Sequence, residues 1–407
     1  MIALQKENIN FKKYISYILI AYAFSFPISK AATNFFEVLA ILLWIVEGNW
    51  REKYQLYKTN LLSIAIVLLI GFSLLSILWH GNLETTLHYI AKYRHLLIIF
   101  VFYTSFQHKY TKSLLSAFLL SIFLSELVSY AIFFELIHYK DVKPEDPSPF
   151  MSHMTYSTVL AFTTAILLVY LSYEQHLRYK LFYIIFFISA TVNLFINGGR
   201  TGQIIYIIVI ATIFFSLIQH KVKALLGTLS ILLIVFTLAY NFSPNFYERS
   251  HQLSTDINNM LKDNDYTGSG GSRVALMIIG LHTIKDNIIL GTGPSYDMYK
   301  IQDYSSSLGF DPDFLKEFSD YHNAFITISA QLGIIGIFIS LLIIYKLFDF
   351  HYLNKEYKVM SLVFAITFVL FSFTHNTLHT MNPMIFFALF AGLFNSLALK
   401  RIPNESR

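Results

Sequence analysis

Three residues far apart in this chain are of types that could together act on a phosphate-activated group: Arg200, Arg273 and His322. Arg200 lies in Asn197-Gly198-Gly199-Arg200-Thr201-Gly202-Gln203, squeezed between two apolar runs with almost no connection. The plain reading is an interfacial arginine that snorkels toward water. The functional reading is a ligand contact, because flanking glycines let a ligand approach the backbone and a charge near membrane depth is costly without a role. Arg273 follows Gly270-Gly271-Ser272 and opens an amphipathic stretch. It is either a solvated loop base or an arginine beside the free amides of a helix start, a combination that suits a phosphate. His322, in Asp320-Tyr321-His322-Asn323, is either an interfacial ring or a general base, since neutral imidazole can take a proton near neutral pH.

Lys92, Arg94 and His153 are lesser candidates for the same ligand, and His375 falls on the same side of the membrane without an assigned role. The chain has no Cys, which excludes disulfides, zinc thiolates and a thiol nucleophile. It has neither a Walker loop nor an HExxH motif. Asp263-Asn264-Asp265 and Asp311-Pro312-Asp313 read as solvated acids, and no cofactor or metal is expected. Gly291-Thr292-Gly293-Pro294 adds only a turn. The net charge of +5 is not a nucleic-acid signal, because in a membrane protein the position of each base matters more than the sum.

The elements that must hold these residues are transmembrane. Of 407 residues 55% are hydrophobic and 14% charged, against about 25% charged in soluble domains. Aromatics reach 17%, a load that fits helices meeting lipid and rings at the headgroup level. Apolar runs fall near 12–29, 31–47, 60–79, 87–106, 113–138, 154–172, 180–197, 202–219, 223–240, 322–346, 358–375 and 381–399. The expected fold is all-α, a polytopic membrane protein of about 12 transmembrane helices, since a span takes roughly 20 residues. The first run is followed directly by another, so it reads as a span and not a signal peptide. The expected division is 1–240 for nine spans, 241–321 for a long polar loop, and 322–407 for the last three.

Basic residues orient the chain. With a cytoplasmic N-terminus, 18 of the 30 Lys and Arg fall on inside segments, and every inside segment carries some. An even number of spans then places both termini in the cytoplasm and the loop outside. The loop is too long for a mere connection. Within it Val274, Met277, Ile278, Leu281 and Ile284 recur at helical spacing after Gly268–Ser272, which predicts a helix lying against the membrane domain. Few acids fall inside spans, Glu37, Glu126 and Glu135 being the main ones.

The Arg200 turn, Gly271-Ser272-Arg273 running through Asn287-Ile288-Ile289-Leu290-Gly291-Thr292-Gly293, and His322-Asn323 followed by Gln331-Leu332-Gly333-Ile334-Ile335-Gly336 resemble the O-antigen ligase / O-antigen polymerase superfamily. The similarity is clearest over 190–345, and the hydropathy layout extends it along the chain. The resemblance implies glycan transfer at the periplasmic face of a Gram-negative inner membrane. The implied donor is an O-antigen chain on undecaprenyl pyrophosphate. The acceptor is a lipid A core sugar in ligases and a second lipid-linked repeat in polymerases. Carried over by position, Arg200 and Arg273 hold pyrophosphate and His322 is the base. Lys92 and Arg94 are lesser donor contacts, and His153 has no firm role.

Outside the cytoplasm there is no ATP, so a donor must arrive activated. A pyrophosphate leaving group needs its growing charge stabilised, which arginine does well. One long outer loop instead of two favours the ligase over the polymerase. A lipid or polysaccharide transporter predicts repeats and midplane charges, and neither is visible.

Overall fold

The structure, a computed structural model, describes residues 10–80, 83–294, 296–349 and 353–398. Helix dominates and, among the described residues, no strand forms. The helices are α1 Phe11–Ser25, α2 Lys30–Glu47, α3 Trp50–Tyr57, α4 Leu61–Leu75, α5 Ile77–His80, α6 Leu83–Ala91, α7 Leu97–Ser105 and α8 Thr111–Phe133. They continue with α9 His153–Tyr173, α10 Leu177–Ile196, α11 Arg200–Leu217, α12 Lys221–Phe242, α13 Pro244–Asn258, α14 Ser269–Asp286, α15 Asp297–Ser307 and α16 Pro312–Leu315. The last are α17 Ala324–Leu347, α18 Lys355–Thr374 and α19 Met381–Leu397.

Among the described residues, eight helices are long and apolar enough to cross a bilayer, or nine if the pair α2 and α3, bent by 113°, counts as one span. The count of 12 is therefore not reached by that measure. The run at 87–106 is no single helix: α6 gives way to a 3-10 segment at Lys92–Leu96 before α7. The 15 residues of α1 and 17 of α19 are short, since a helix rises only about 1.5 Å per residue. Glu135 lies beyond α8, exposed, whereas Glu37 and Glu126 are buried within spans.

The centre is α9, flanked by α10, α11 and α18, with α19 buried along nearly its whole length. Much of the aromatic content fills this core instead of facing lipid. Phe162 packs edge-on against Phe390 at 4.6 Å, and Phe368 stacks on Phe387 at 4.3 Å. Gly199 and Gly202 let α11 lie directly on α9: a Cβ on Gly202 would sit 2.4 Å from the Ser157 carbonyl oxygen, and one on Gly199 2.0 Å from the Ser157 hydroxyl. Gly199 and Gly202 thus admit a helix, while Gly198 faces the Asp146 carboxylate.

The segment between α12 and α17 is itself helical. The sequence stripe of α14 is displaced by about one residue: Ala275, Leu276, Ile279 and Thr283 are buried, while Met277 and Leu281 are exposed. Small Gly280 decides this, because Ile326 and Tyr321 close on it as α14 lies along the first half of α17. The turn after α14 plugs a break in α17 at Gly333, whose φ is +57°. There the amides of Thr292 and Gly293 donate to the carbonyls of Ala330 and Gln331 at 2.8 and 2.9 Å, and Ile334 donates to Ile288 at 2.8 Å. Backbone groups freed by a break inside a membrane must be paired in this way. Gly291 meets the Gln331 backbone so closely that any Cβ would overlap it.

Candidate functional site

The starts of α9, α11, α17 and α19 and the ends of α10, α12 and α18 lie at one end of the bundle, because successive spans alternate in direction. At that end α13 and α14 bring the polar residues together. Asn323 caps α17, its Oδ1 accepting from the amides of Phe325 and Ile326 at 3.0 Å each, and so fixes the residue before it. That residue, His322, has φ of +48°, a left-handed conformation uncommon outside glycine. The turn is held by Asp320, whose Oδ1 accepts from the His322 amide at 2.7 Å. Asn376, after α18, donates to the other Asp320 oxygen at 3.3 Å.

Asp320 Oδ1 stands 3.6 Å from His322 Nδ1, just beyond hydrogen-bond reach, and that ring nitrogen is buried with no protein partner. Burial is the leading influence on this imidazole and lowers its pKa below the usual 6.5. Asp320 pulls it up, and the positive charge of Arg273 pushes it down again. His322 is therefore a neutral base near pH 7. The ring of His375 lies parallel to it at 6.1 Å, with both nitrogens buried and unpartnered. Burial takes His375 down to about 4.

Arg273 is the hub of this end. Its charge is felt by His322, by His375 and by Arg200. Its guanidinium donates to the Met154 thioether at 3.3 Å and, among the described residues, forms no ion pair with a carboxylate. Burial lowers its pKa, the mark of a cation partly stripped of water without a counter-charge. Arg200 is differently placed. It donates to Gln252 at 2.8 Å and lies 3.8 Å from Asp256, both on α13. Asp256 also accepts from the Gly270 amide at 3.0 Å. The start of α14 is thus partly occupied by a protein carboxylate, and its amides are not all free as the sequence suggests. Gly268 and Gly270 make room for that carboxylate.

His153 joins the cluster through its charge on His375 and pairs with Asp146 at 3.0 Å. Burial raises the Asp146 pKa, but the His153 hydrogen bond and the Gly198 amide together hold it below the ordinary carboxylate range. Lys92 and Arg94 lie apart from the arginine pair, on the 3-10 segment. Arg94 donates to Asn34 at 3.2 Å and stands 3.6 Å from buried Glu37, which also holds His95 at 2.5 Å. Lys92 acts on His379, whose ring stacks on Tyr89 at 3.5 Å. Tyr89 leads back toward Asp320 through Gln331, which donates to both the Tyr89 hydroxyl (2.8 Å) and buried Asp297 (2.6 Å).

Sequence reasoning leaves Asp320, Asp256, Asp146, Asn376 and His375 without roles. Only Asp320, two residues before His322, carries a local signal. The others reach the site from separate elements. Among the described residues, no group of three or more His, Asp or Glu is arranged to hold a metal ion.

A cation with no carboxylate partner among the described residues, a second cation held by Gln252 and Asp256, and a neutral imidazole can receive a diphosphate and remove a proton beside it. Residues 184–341 match the family model described as O-Antigen ligase. That stretch contains Arg200, Arg273 and His322 but not Lys92, Arg94, His153 or His375. A comparison with curated proteins finds no significant match.

Proposed function

Taking as premise that this multi-pass membrane protein carries an O-antigen ligase domain and belongs to that superfamily, we propose that it transfers O-antigen glycan from undecaprenyl pyrophosphate to a sugar of the lipid A core, at the periplasmic face of the bacterial inner membrane. The single observation that carries this reading is Arg273: a partly buried guanidinium without a carboxylate partner among the described residues, its charge reaching the imidazole of His322. A site built this way is incomplete until an anion fills it.

Arg273 and Arg200 bind the pyrophosphate, with Arg273 offering paired donors to its oxygens. The acceptor hydroxyl attacks the anomeric carbon as the bond from that carbon to the pyrophosphate oxygen breaks. The hydroxyl proton passes to the outward ring nitrogen of His322, and undecaprenyl pyrophosphate leaves with the bonding electron pair. Asp320, 3.6 Å from Nδ1, stabilises the imidazolium by its charge. One displacement inverts the anomeric centre. The reading needs no metal and no nucleotide. Lys92, Arg94 and His153 would contact donor or acceptor at the margins.

In this reading both termini are cytoplasmic, which the excess of Lys and Arg in the connections of the alternate side supports. The alternative within the same superfamily is a polymerase joining lipid-linked repeat units. Deletion of the gene separates the two. A ligase deletion accumulates long polymer on undecaprenyl pyrophosphate with bare lipid A core. A polymerase deletion leaves single repeats, some still transferred. Unchanged lipopolysaccharide and unchanged lipid-linked glycans would end both readings.

A further inference from the structure

At the end of the bundle opposite Arg273, separated from it by the roughly 30 Å length of the 20-residue helix α10, α8 and α10 part to leave a cavity of about 760 Å³. It is floored by α9 and by the start of α18, and exposed Leu120 and Phe182 flank a side opening toward lipid. Its inner part is apolar, reaching Phe123 and Phe186. Its mouth is charged, with Lys112 and Arg178 facing Glu174 and Glu356.

These four charges do not neutralise one another by contact. The positive charge of Lys112 is felt at both Glu174 and Glu356, yet among the described residues no ion pair within 4 Å joins them. Among the described residues Arg178 donates to the Tyr179 hydroxyl, at 3.2 Å, and lies over that ring. Glu174 is held in place by the amides of Gln175 and His176, at 2.8 and 2.9 Å, both on one oxygen. Behind the mouth the Tyr170 and Tyr173 hydroxyls are buried without a hydrogen-bond partner. Buried hydroxyls are rarely left unpaired, so each points to a missing acceptor or donor.

We propose that this groove holds one phospholipid of the adjacent leaflet whose headgroup pairs a phosphate with a primary ammonium, namely a phosphatidylethanolamine. The phosphate sits between Lys112, Arg178 and the tyrosine hydroxyls. The ammonium, with three N–H donors, bridges the two carboxylates. An acyl chain lies along Phe123 and Phe186. A purely anionic headgroup would leave Glu174 and Glu356 facing it with like charge. A quaternary ammonium has no N–H to give them. The site is distant from the transfer chemistry and does not depend on the proposed activity.

The test is native mass spectrometry of the purified full-length protein, delipidated and titrated with phosphatidylethanolamine, phosphatidylglycerol and phosphatidylcholine of matched chains. The expected result is a tightly retained single phosphatidylethanolamine. In Glu174→Gln/Glu356→Gln its preference over phosphatidylcholine falls about tenfold, equivalent to about 1.4 kcal/mol. Ser116→Trp, which puts an indole into the groove, should abolish retention of all three. Each variant is checked for a single sharp peak in size-exclusion chromatography. If the double variant fails that check, Lys112→Met is read instead, and it should weaken all three lipids. Equal retention of the three lipids by the wild type, a preference for phosphatidylglycerol, unchanged preference in a well-folded double variant, or undiminished retention in well-folded Ser116→Trp or Lys112→Met overturns the proposal.

Discussion

Replacing Arg273 by Ala should separate activity from stability in a way few substitutions can. Among the described residues the guanidinium donates to the Met154 thioether, at 3.3 Å, and has no carboxylate partner. Its removal therefore strands no buried counter-charge, and it relieves the desolvation that lowers its pKa. The expected change in folding stability is small, about 1 kcal/mol or less, because only the packing of the side-chain stem is lost. Transfer should suffer far more. One preorganised donor aimed at a developing anion is worth about 3–4 kcal/mol, or roughly 10²–10³ in rate. Arg200→Ala makes the contrast: it takes the nearby cation from Asp256, which keeps the Gly270 amide, and removes one of the two donors to Gln252, the other being Arg249 at 3.2 Å, at a cost of about 1 kcal/mol. The assay is transfer from a lipid-pyrophosphate-linked glycan by purified enzyme in nanodiscs, with thermal unfolding followed on the same samples. An Arg273→Ala protein that transfers at the wild-type rate, or that unfolds more than a few degrees lower, would refute the assignment of this arginine to an incoming anion.

Arg200→Lys should keep near-normal stability, because an ammonium can still reach Asp256, but lose at least about tenfold in transfer for want of paired donors; equal activity would remove Arg200 from the site. Transfer should require neutral His322 and so decline as pH falls through its pKa, which burial sets below 6.5. Since Asp320 raises that pKa, Asp320→Asn should move the acid limb of the kcat/KM profile to lower pH while reducing kcat, and a limb that stays put or moves up would count against the pairing. Gly202→Ala should cost about 1–3 kcal/mol, since the new methyl falls 2.4 Å from the Ser157 carbonyl oxygen; a thermal unfolding curve matching the wild type would show that α9 and α11 are not in contact there.

Membrane residence and helical class were legible along the chain, because a span must satisfy its backbone internally and cover it with apolar side chains. Arg200, Arg273 and His322 were legible as types in telling local settings. The span count was not. A run such as 87–106 is apolar whether it forms one helix or a bent one, and hydropathy does not register the turn at Lys92–Leu96. The stripe of α14 was misplaced for a related reason: Ala275, Gly280 and Thr283 carry little hydropathy, yet their small size admits α17.

Residue chemistry alone determined which groups could bind a diphosphate or accept a proton, and that apolar helices must carry them. Tertiary structure decided which cation is free. Asp256, from α13, occupies the start of α14 and approaches Arg200, while among the described residues no carboxylate pairs with Arg273. It also brought Asp320, Asn376 and His375 around His322, and gave the glycines to helix packing. The physical reason is range. Periodicity and local motifs report on neighbours within a turn or two of helix, whereas charge, burial and close packing at a site depend on residues 50 or more positions away, such as Asn376 on Asp320.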